Sequence, residues 1–257
     1  MLQDLFIITG ASAGLGTSIS KQLAKKKNHL VLIARNRENL LELQSSCILD
    51  GATVDIHTID LSTDNSYKRV DQLFAKLNWN KYSKTVLFNN ASTILPISHL
   101  DETKYYQIKN LFHLNLLSST VLSQLFMRYC KKFQSKNTFV VNISSGVSLN
   151  PVEGWGLYCI SKSGLNMLTS VIANDSKRWK YPIKSVSINP GPLNTEMQKN
   201  IRNSSIEQSP IKTKFVEMHE KGELLSPKII ANRIIKLLRV EPFPNGEYLD
   251  LNAIESE

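Results

Sequence analysis

A hydroxyl, a phenol and an amine fall within one short run of the chain: Ser145, Tyr158 and Lys162 in NISSGVSLNPVEGWGLYCISK, residues 142–162. Tyr158 and Lys162 are four residues apart, so on a helix beginning near Tyr158 their side chains share a face, one turn apart. A phenol with an ordinary pKa of about 10 is a poor acid-base group at neutral pH, but a neighbouring cation stabilises its phenolate and lowers that value. Lys162 is placed to be that cation. Ser145 directly follows the apolar run VVNIS and could hold a carbonyl oxygen while Tyr158 gives it a proton. Such a site reduces a ketone only if something supplies hydride, and Tyr-x-x-x-Lys alone is common by chance. The elements around it must therefore carry the argument.

The first of them lies at the start of the chain. Leu5 to Ile8 is a short apolar run, followed by Thr9-Gly10-Ala11-Ser12-Ala13-Gly14-Leu15-Gly16 and then by the helical pattern Ile19, Leu23, Ala24. Strand, glycine-rich turn and helix in that order form an entry for a dinucleotide. Gly10 permits a tight turn, and Gly14 and Gly16 let the backbone approach a pyrophosphate at the helix N-terminus. His29 to Ile33 reads as the second strand and ends in Ala34-Arg35. An arginine there accommodates a ribose 2′-phosphate where an acidic residue would bind the 2′-hydroxyl, so Arg35 points to NADP(H); a solvated surface arginine is the alternative. After the third strand, Thr53 to Ile59, Asp60 is placed to accept from an adenine amino group or to cap the next helix.

The fourth strand, Thr85 to Phe88, runs into Asn89-Asn90-Ala91-Ser92, small and amide side chains that let the chain pass close to a ribose. A helix over Lys104 to Tyr129 carries Asn115, an amide in an otherwise apolar stretch, which read alone is structural. Thr138 to Ile143 is the fifth strand and delivers Ser145; the helix over Tyr158 to Asp175 carries Lys162. Ile183 to Ile188 is the sixth strand and leads to Pro190-Gly191-Pro192-Leu193-Asn194-Thr195, a turn at a strand's carboxyl end, where open α/β sheets bind ligands. The Leu193 backbone and the Thr195 hydroxyl could hold a nicotinamide carboxamide. Residues 198–222 are polar and long enough for a helical lid over the substrate. A last helix, Pro227 to Leu238, and a short strand, Glu247 to Leu249, complete the pattern.

Composition narrows the alternatives. The 257 residues contain no linker, repeat or low-complexity tract, and the expectation is one domain over residues 1–257. The longest apolar runs are strand-length, so no membrane span is expected. MLQDLFIITG has neither a basic lead-in nor a small-residue cleavage site and does not read as a signal peptide. Cys47, Cys130 and Cys159 are far apart and form no Cys-x-x-Cys pair, which suits reduced thiols and a cytoplasmic protein. His29, His57, His99, His113 and His219 show no metal-ligand spacing, so no metal is expected. The net charge of +9 would suit an anionic partner. However, the lysines are dispersed along the sequence, with Lys25-Lys26-Lys27 and Lys131-Lys132 at helix ends, and aromatics are not interleaved with them; nucleic acid is not an expected partner.

TGASAGLG, Asp60, Asn89-Asn90-Ala91, Asn115, Ser145, YCISK at 158–162 and PGPLNT at 190–195 occur in one order along nearly the whole chain, and in this the sequence resembles the short-chain dehydrogenase/reductase family. The resemblance implies a three-layer, Rossmann-like, doubly wound α/β fold on a seven-stranded parallel sheet, and a catalytic set of Asn115, Ser145, Tyr158 and Lys162. It gives Asn115 a water to hold between Lys162 and solvent, gives Lys162 a bond to the nicotinamide ribose, and implies a homodimer. Two positions depart from the family: Ser92 stands where a glycine is usual, and Ala13 where many NADP-using members have a basic residue. Within the family, VVNISS, GWGLYC and NPGPLNTEMQ resemble sepiapterin reductases and the related benzil reductases. That implies an NADPH-dependent carbonyl reductase acting on a small-molecule pterin ketone, with reduction of other dicarbonyls as the alternative. Asp250 then corresponds to an aspartate that anchors the pterin's ring nitrogens, and Trp155 and Met197 would flank a flat ring or else be ordinary core.

Overall fold

In the computed structural model, which describes residues 2–251 apart from 206 and 208, the apolar runs form strands β1 (Gln3–Thr9), β2 (Asn28–Ala34), β3 (Thr53–Thr58), β4 (Tyr82–Asn89), β5 (Thr138–Ile143), β6 (Lys184–Asn189) and β7 (Glu247–Asp250). All pair in parallel, in the order β3-β2-β1-β4-β5-β6-β7. β2 and β5 are buried at every position. Both faces of the sheet are covered, which is why these strands read as continuous hydrophobic runs rather than as alternating ones.

The covering helices segregate by face. Phe6 and Ile8 of β1, with Leu30 and Leu32 of β2, pack against α1 (Gly14–Leu23), α2 (Arg37–Leu49) and α9 (Pro227–Leu237). Their neighbours Leu5, Ile7, Val31 and Ile33 turn the other way, toward α3 (Ser66–Lys76), α5 (Ser118–Lys132) and α6 (Gly156–Ser176). Alternation with period two thus builds two cores from one sheet. Strand order reverses between β1 and β4, and a crevice opens there beyond the strands' carboxyl ends.

Two elements differ from the sequence reading. The helix expected over Lys104 to Tyr129 is broken: α4 (Tyr105–Phe112) passes through a π-helical turn, His113–Leu117, into α5. Asn115 sits in that turn, which widens the helix by one residue and re-aims its side chain. The segment expected as a lid begins earlier than residue 198, forming α7 (Glu196–Arg202) and α8 (Lys212–Glu220); its residues 206 and 208 lie outside the described residues.

Candidate active site

A cavity of about 1040 Å³ runs along the crevice. Gly10, Ser12, Gly14, Leu15 and Arg35 line one part of it; Ser145, Tyr158, Lys162 and Leu193 line the middle; Trp155 and Phe215 line the far part. The glycine turn is built by close approach. A Cβ on Gly10, whose φ is +63°, would lie 2.9 Å from the Ala91 Cα. One on Gly16 would lie 2.3 Å from the Gly10 carbonyl oxygen, so Gly16 is required for packing within the turn rather than for reaching a ligand. At the start of α1 the N-cap, Ala13, offers no side-chain acceptor. The first-turn N–H groups are therefore left for an anion, where the helix dipole also favours one.

Asn90 lines the cavity, as does Ala91, and its amide is engaged within the turn. Its Nδ2 donates to the Thr9 and Gly10 carbonyls at 2.9 and 3.3 Å, while its N–H and that of Ala91 donate to the Thr9 hydroxyl at 2.9 and 3.0 Å. The Asn90 amide braces the glycine turn, and Thr9, which the sequence reading passed over, is its partner. Ser92 lines the cavity beside Ala91. Asp60 does not belong to the lining, although Ile59 and Leu61 on either side of it do. Its Oδ1 accepts from the Ser62 N–H at 2.9 Å and the Ser62 hydroxyl at 2.6 Å, closing the turn before α3. Burial pushes its carboxyl up, but the two Ser62 hydrogen bonds, then Arg35 and His113, outweigh that and hold it below the usual range. Arg35 is exposed at the cavity's edge and close enough to Asp60 for this effect.

Lys162 is 1% exposed and Tyr158 7%, one turn apart on α6 as their spacing requires. The Lys162 Nζ donates to the Ile143 carbonyl at 2.8 Å and lies 5.4 Å from the centre of the Tyr158 ring. Desolvation brings the lysine down to about 7. Burial likewise raises the Tyr158 phenol well above its ordinary value, with the Ser145 hydroxyl opposing the shift. The expected lowering of the phenol by Lys162 is absent, because removal from water disfavours both charged forms more than their proximity favours them. Ser145 lies two residues beyond the end of β5, at the start of a 3-10 turn whose Ser148 returns two hydrogen bonds to the Ser145 carbonyl.

Asn115 is fully buried and its amide is occupied. Oδ1 accepts from the Thr93 N–H at 2.8 Å, and Nδ2 donates to the Thr93 carbonyl at 2.8 Å and the Ser161 hydroxyl at 3.1 Å. The side chain therefore fastens the strand-β4 exit to α6. In the Pro190–Thr195 turn, Leu193 forms a bridge with Leu225: the Asn194 N–H donates to the Leu225 carbonyl at 3.0 Å and the Leu225 N–H to the Pro192 carbonyl at 2.9 Å. This register turns the N–H of Leu193 itself the other way, and Leu193, like Pro190, Gly191 and Thr195, lines the cavity.

An apolar cluster surrounds Tyr158, and the cavity lining also includes Asn150, Gln198, Asn200 and Lys214. Trp155 stacks on Phe215 of α8 at 5.8 Å and 13°, and stands edge-on to Tyr158 at 6.3 Å. Its indole N–H donates to the Ser209 hydroxyl at 2.9 Å. The Tyr158 hydroxyl points at the Met197 sulfur, 3.9 Å away. Ile94, Val147 and Val152 belong to the same cluster. Trp155 and Met197 both meet Tyr158 and line the cavity. Phe215, on the segment whose polar sequence concealed it, was missed. Asp250 is not brought to the cavity: it ends the edge strand β7, in register with Asn189, and only Asn189 belongs to the lining. One strand spacing, about 4.8 Å, separates the two positions.

Residues 4–205 match the family model for short chain dehydrogenases. A benzil reductase ((S)-benzoin forming) of Bacillus cereus is 33% identical over 252 residues, covering 96% of this chain and 98% of that protein. A sepiapterin reductase of Bos taurus is 31% identical over 256 residues, covering 96% and 94%. Among solved structures, a short chain dehydrogenase/reductase of Saccharomyces cerevisiae superposes with a TM-score of 0.80 at 26% identity, covering 97% of this chain and 96% of that one.

Proposed function

The chain belongs to the short-chain dehydrogenase family, and from that membership we propose that it is an NADPH-dependent carbonyl reductase for aromatic vicinal dicarbonyls, with Tyr158 as proton donor. The observation that carries the reading is the position of the Tyr158 hydroxyl, where the nucleotide trough meets an apolar chamber walled by Trp155, Met197 and Phe215.

The residues present fit a nicotinamide dinucleotide. The uncapped start of α1 would hold the pyrophosphate, Ile59 and Leu61 the adenine, Arg35 the 2′-phosphate, and the Leu193 N–H and the Thr195 hydroxyl the carboxamide. When bound, the cofactor supplies hydride. Ser145 orients the carbonyl oxygen. Tyr158, which its burial keeps protonated at neutral pH, donates the proton. Lys162 keeps two N–H groups beyond the one given to Ile143 for the ribose hydroxyls, and with a pKa of about 7 it can return a proton to the tyrosine. Asn115 holds Thr93 and Ser161 in place around this centre. The 196–222 segment acts as a lid, anchored by the Trp155–Phe215 stack and the Ser209 hydrogen bond. A homodimer is supported by the apolar outer face of α6, where Ile160, Met167 and Val171 are 44–66% exposed.

Reduction of sepiapterin is the second reading, favoured by the register of Asp250 with cavity-lining Asn189. Steady-state NADPH oxidation with benzil and with sepiapterin, on wild type, Tyr158→Phe and Asp250→Ala, separates the two. We expect a higher kcat/KM for benzil, loss of turnover with retained NADPH binding in Tyr158→Phe, and equal small effects of Asp250→Ala on both substrates. A selective loss with sepiapterin on Asp250→Ala would move the assignment to the pterin. Wild-type turnover by Tyr158→Phe would remove the mechanism.

A further inference from the structure

The lysines that are scattered in sequence are gathered by the fold. In a parallel sheet all strands start at one end, and the helices that feed them finish there. The segments entering β4, β5 and β6 carry Lys81 and Lys84; Lys131, Lys132 and Lys136; and Lys177, Arg178, Lys180 and Lys184. Shared rings show that these segments meet. The Lys84 and Lys184 ammonium groups both lie 5.6 Å from the centre of Phe139, Lys136 and Lys180 both lie 5.4 Å from that of Tyr181, and Lys131 lies 5.6 Å from that of Trp179. Asp4, Asp175, Glu241 and Glu247 are acidic residues on the adjoining segments. Among the described residues, only Lys184 of the nine cations forms an ion pair, with Glu241 at 2.6 Å. Helix dipoles at the ends of α5 and α6 accommodate Lys131, Lys132 and Lys177, but they do not explain Lys81, Lys84, Lys136 or Lys180, which lie outside those last turns.

We propose that this basic end is a docking surface for an anionic lipid bilayer, which holds the protein peripherally with its active-site crevice facing away. The chemistry favours lipid over nucleic acid. Eight of the nine cations are lysines, compact charges without the planar fork that reads individual phosphates, and they suit a diffuse layer of headgroups. The rings are occupied: Tyr181 and Trp179 by lysines, and Phe133 by stacking at 9° on Trp79 and Tyr129, so they offer no platform for bases. Half-buried Trp179 and Tyr181 among lysines also match the residue types favoured at a membrane-water boundary. The crevice lies at the opposite ends of the strands, about 20 Å away for six residues at roughly 3.3 Å each, so docking leaves substrate access open.

Co-sedimentation with phosphatidylcholine vesicles, with and without phosphatidylserine and at low and high salt, tests this. Wild type is expected to bind only the anionic vesicles and to be released by salt. The triple variant Lys132→Gln/Lys136→Gln/Lys180→Gln is expected to bind on the order of 100-fold more weakly, at roughly fivefold for each cation lost, with unchanged circular dichroism and NADPH-dependent turnover. Equal binding to neutral vesicles, no binding to either, or undiminished binding by the triple variant would overturn the proposal. So would displacement from vesicles by DNA at a lower phosphate concentration than free lipid requires, which would assign the face to nucleic acid.

Discussion

Replacing Lys162 with Met should stabilise the protein at neutral pH and destabilise it in alkali. The wild-type amine falls from an ordinary 10.5 to about 7 because it is desolvated. At about 1.4 kcal/mol per pH unit, the buried ammonium costs the fold on the order of 5 kcal/mol below pH 7. Between pH 7 and 10.5 the unfolded chain holds the proton and the folded one does not, so wild-type stability rises with pH through that window and the cost is gone above it. Methionine removes the charge but leaves the Ile143 carbonyl without its donor, a loss of about 1–3 kcal/mol at every pH. The variant should therefore be more stable than wild type by roughly 2–4 kcal/mol at pH 6.5, worth about 5–15 °C in melting temperature for a chain of this size, and less stable by pH 10. Thermal unfolding of both proteins across this range, followed by circular dichroism without added nucleotide, measures the difference directly. A difference that stays constant with pH would refute the claim that Lys162 is held as a desolvated base.

Arg35→Glu should raise the KM for NADPH by roughly 10- to 150-fold, the worth of a charge-assisted contact of about 1.5–3 kcal/mol, and change the KM for NADH far less; an equal effect on both would place Arg35 outside the cofactor site. Gly16→Ala should lower the melting temperature by roughly 2–12 °C, because its Cβ would meet the Gly10 carbonyl at 2.3 Å and overpacking of this kind costs about 1–3 kcal/mol. Phe215→Ala should raise the KM for benzil with a smaller change in kcat, since it removes one wall of the chamber and leaves Tyr158, Ser145 and Lys162 in place; a loss confined to kcat would mean that α8 acts on the chemistry instead.

The strands and the approach of Tyr158 to Lys162 could be read from the chain because each rests on local signals: unbroken apolar runs for β2 and β5, a glycine turn between strand and helix, and a four-residue spacing on α6. What escaped depends on pairings between distant segments. Nothing near Asn115 announces that Thr93 will occupy both ends of its amide, or that a π turn will aim it there. Lys162 was read as a cation for Tyr158, but the balance between proximity and burial is set by the Ile143 carbonyl and the surrounding core. Asp250 is expected at the cavity from resemblance alone, yet its edge strand holds it one register partner away from the lining. The lysines before β4, β5 and β6 are separated by some fifty residues each time, so only the parallel sheet makes neighbours of them.

The bridge between Leu193 and Leu225 gives the 196–224 excursion a common point of departure and return. Since both strands of that staple are backbone-to-backbone, through Asn194 to Leu225 and Leu225 to Pro192, they make no demand on the identity of what hangs between them. The excursion can therefore vary in sequence without a change at its root, where Gly191 and Leu193 line the cavity, while Met197, Ser209 and Phe215 within it meet Tyr158 and Trp155. On the proposed reading, the chamber that receives substrate can change while the turn that would hold the nucleotide keeps its shape.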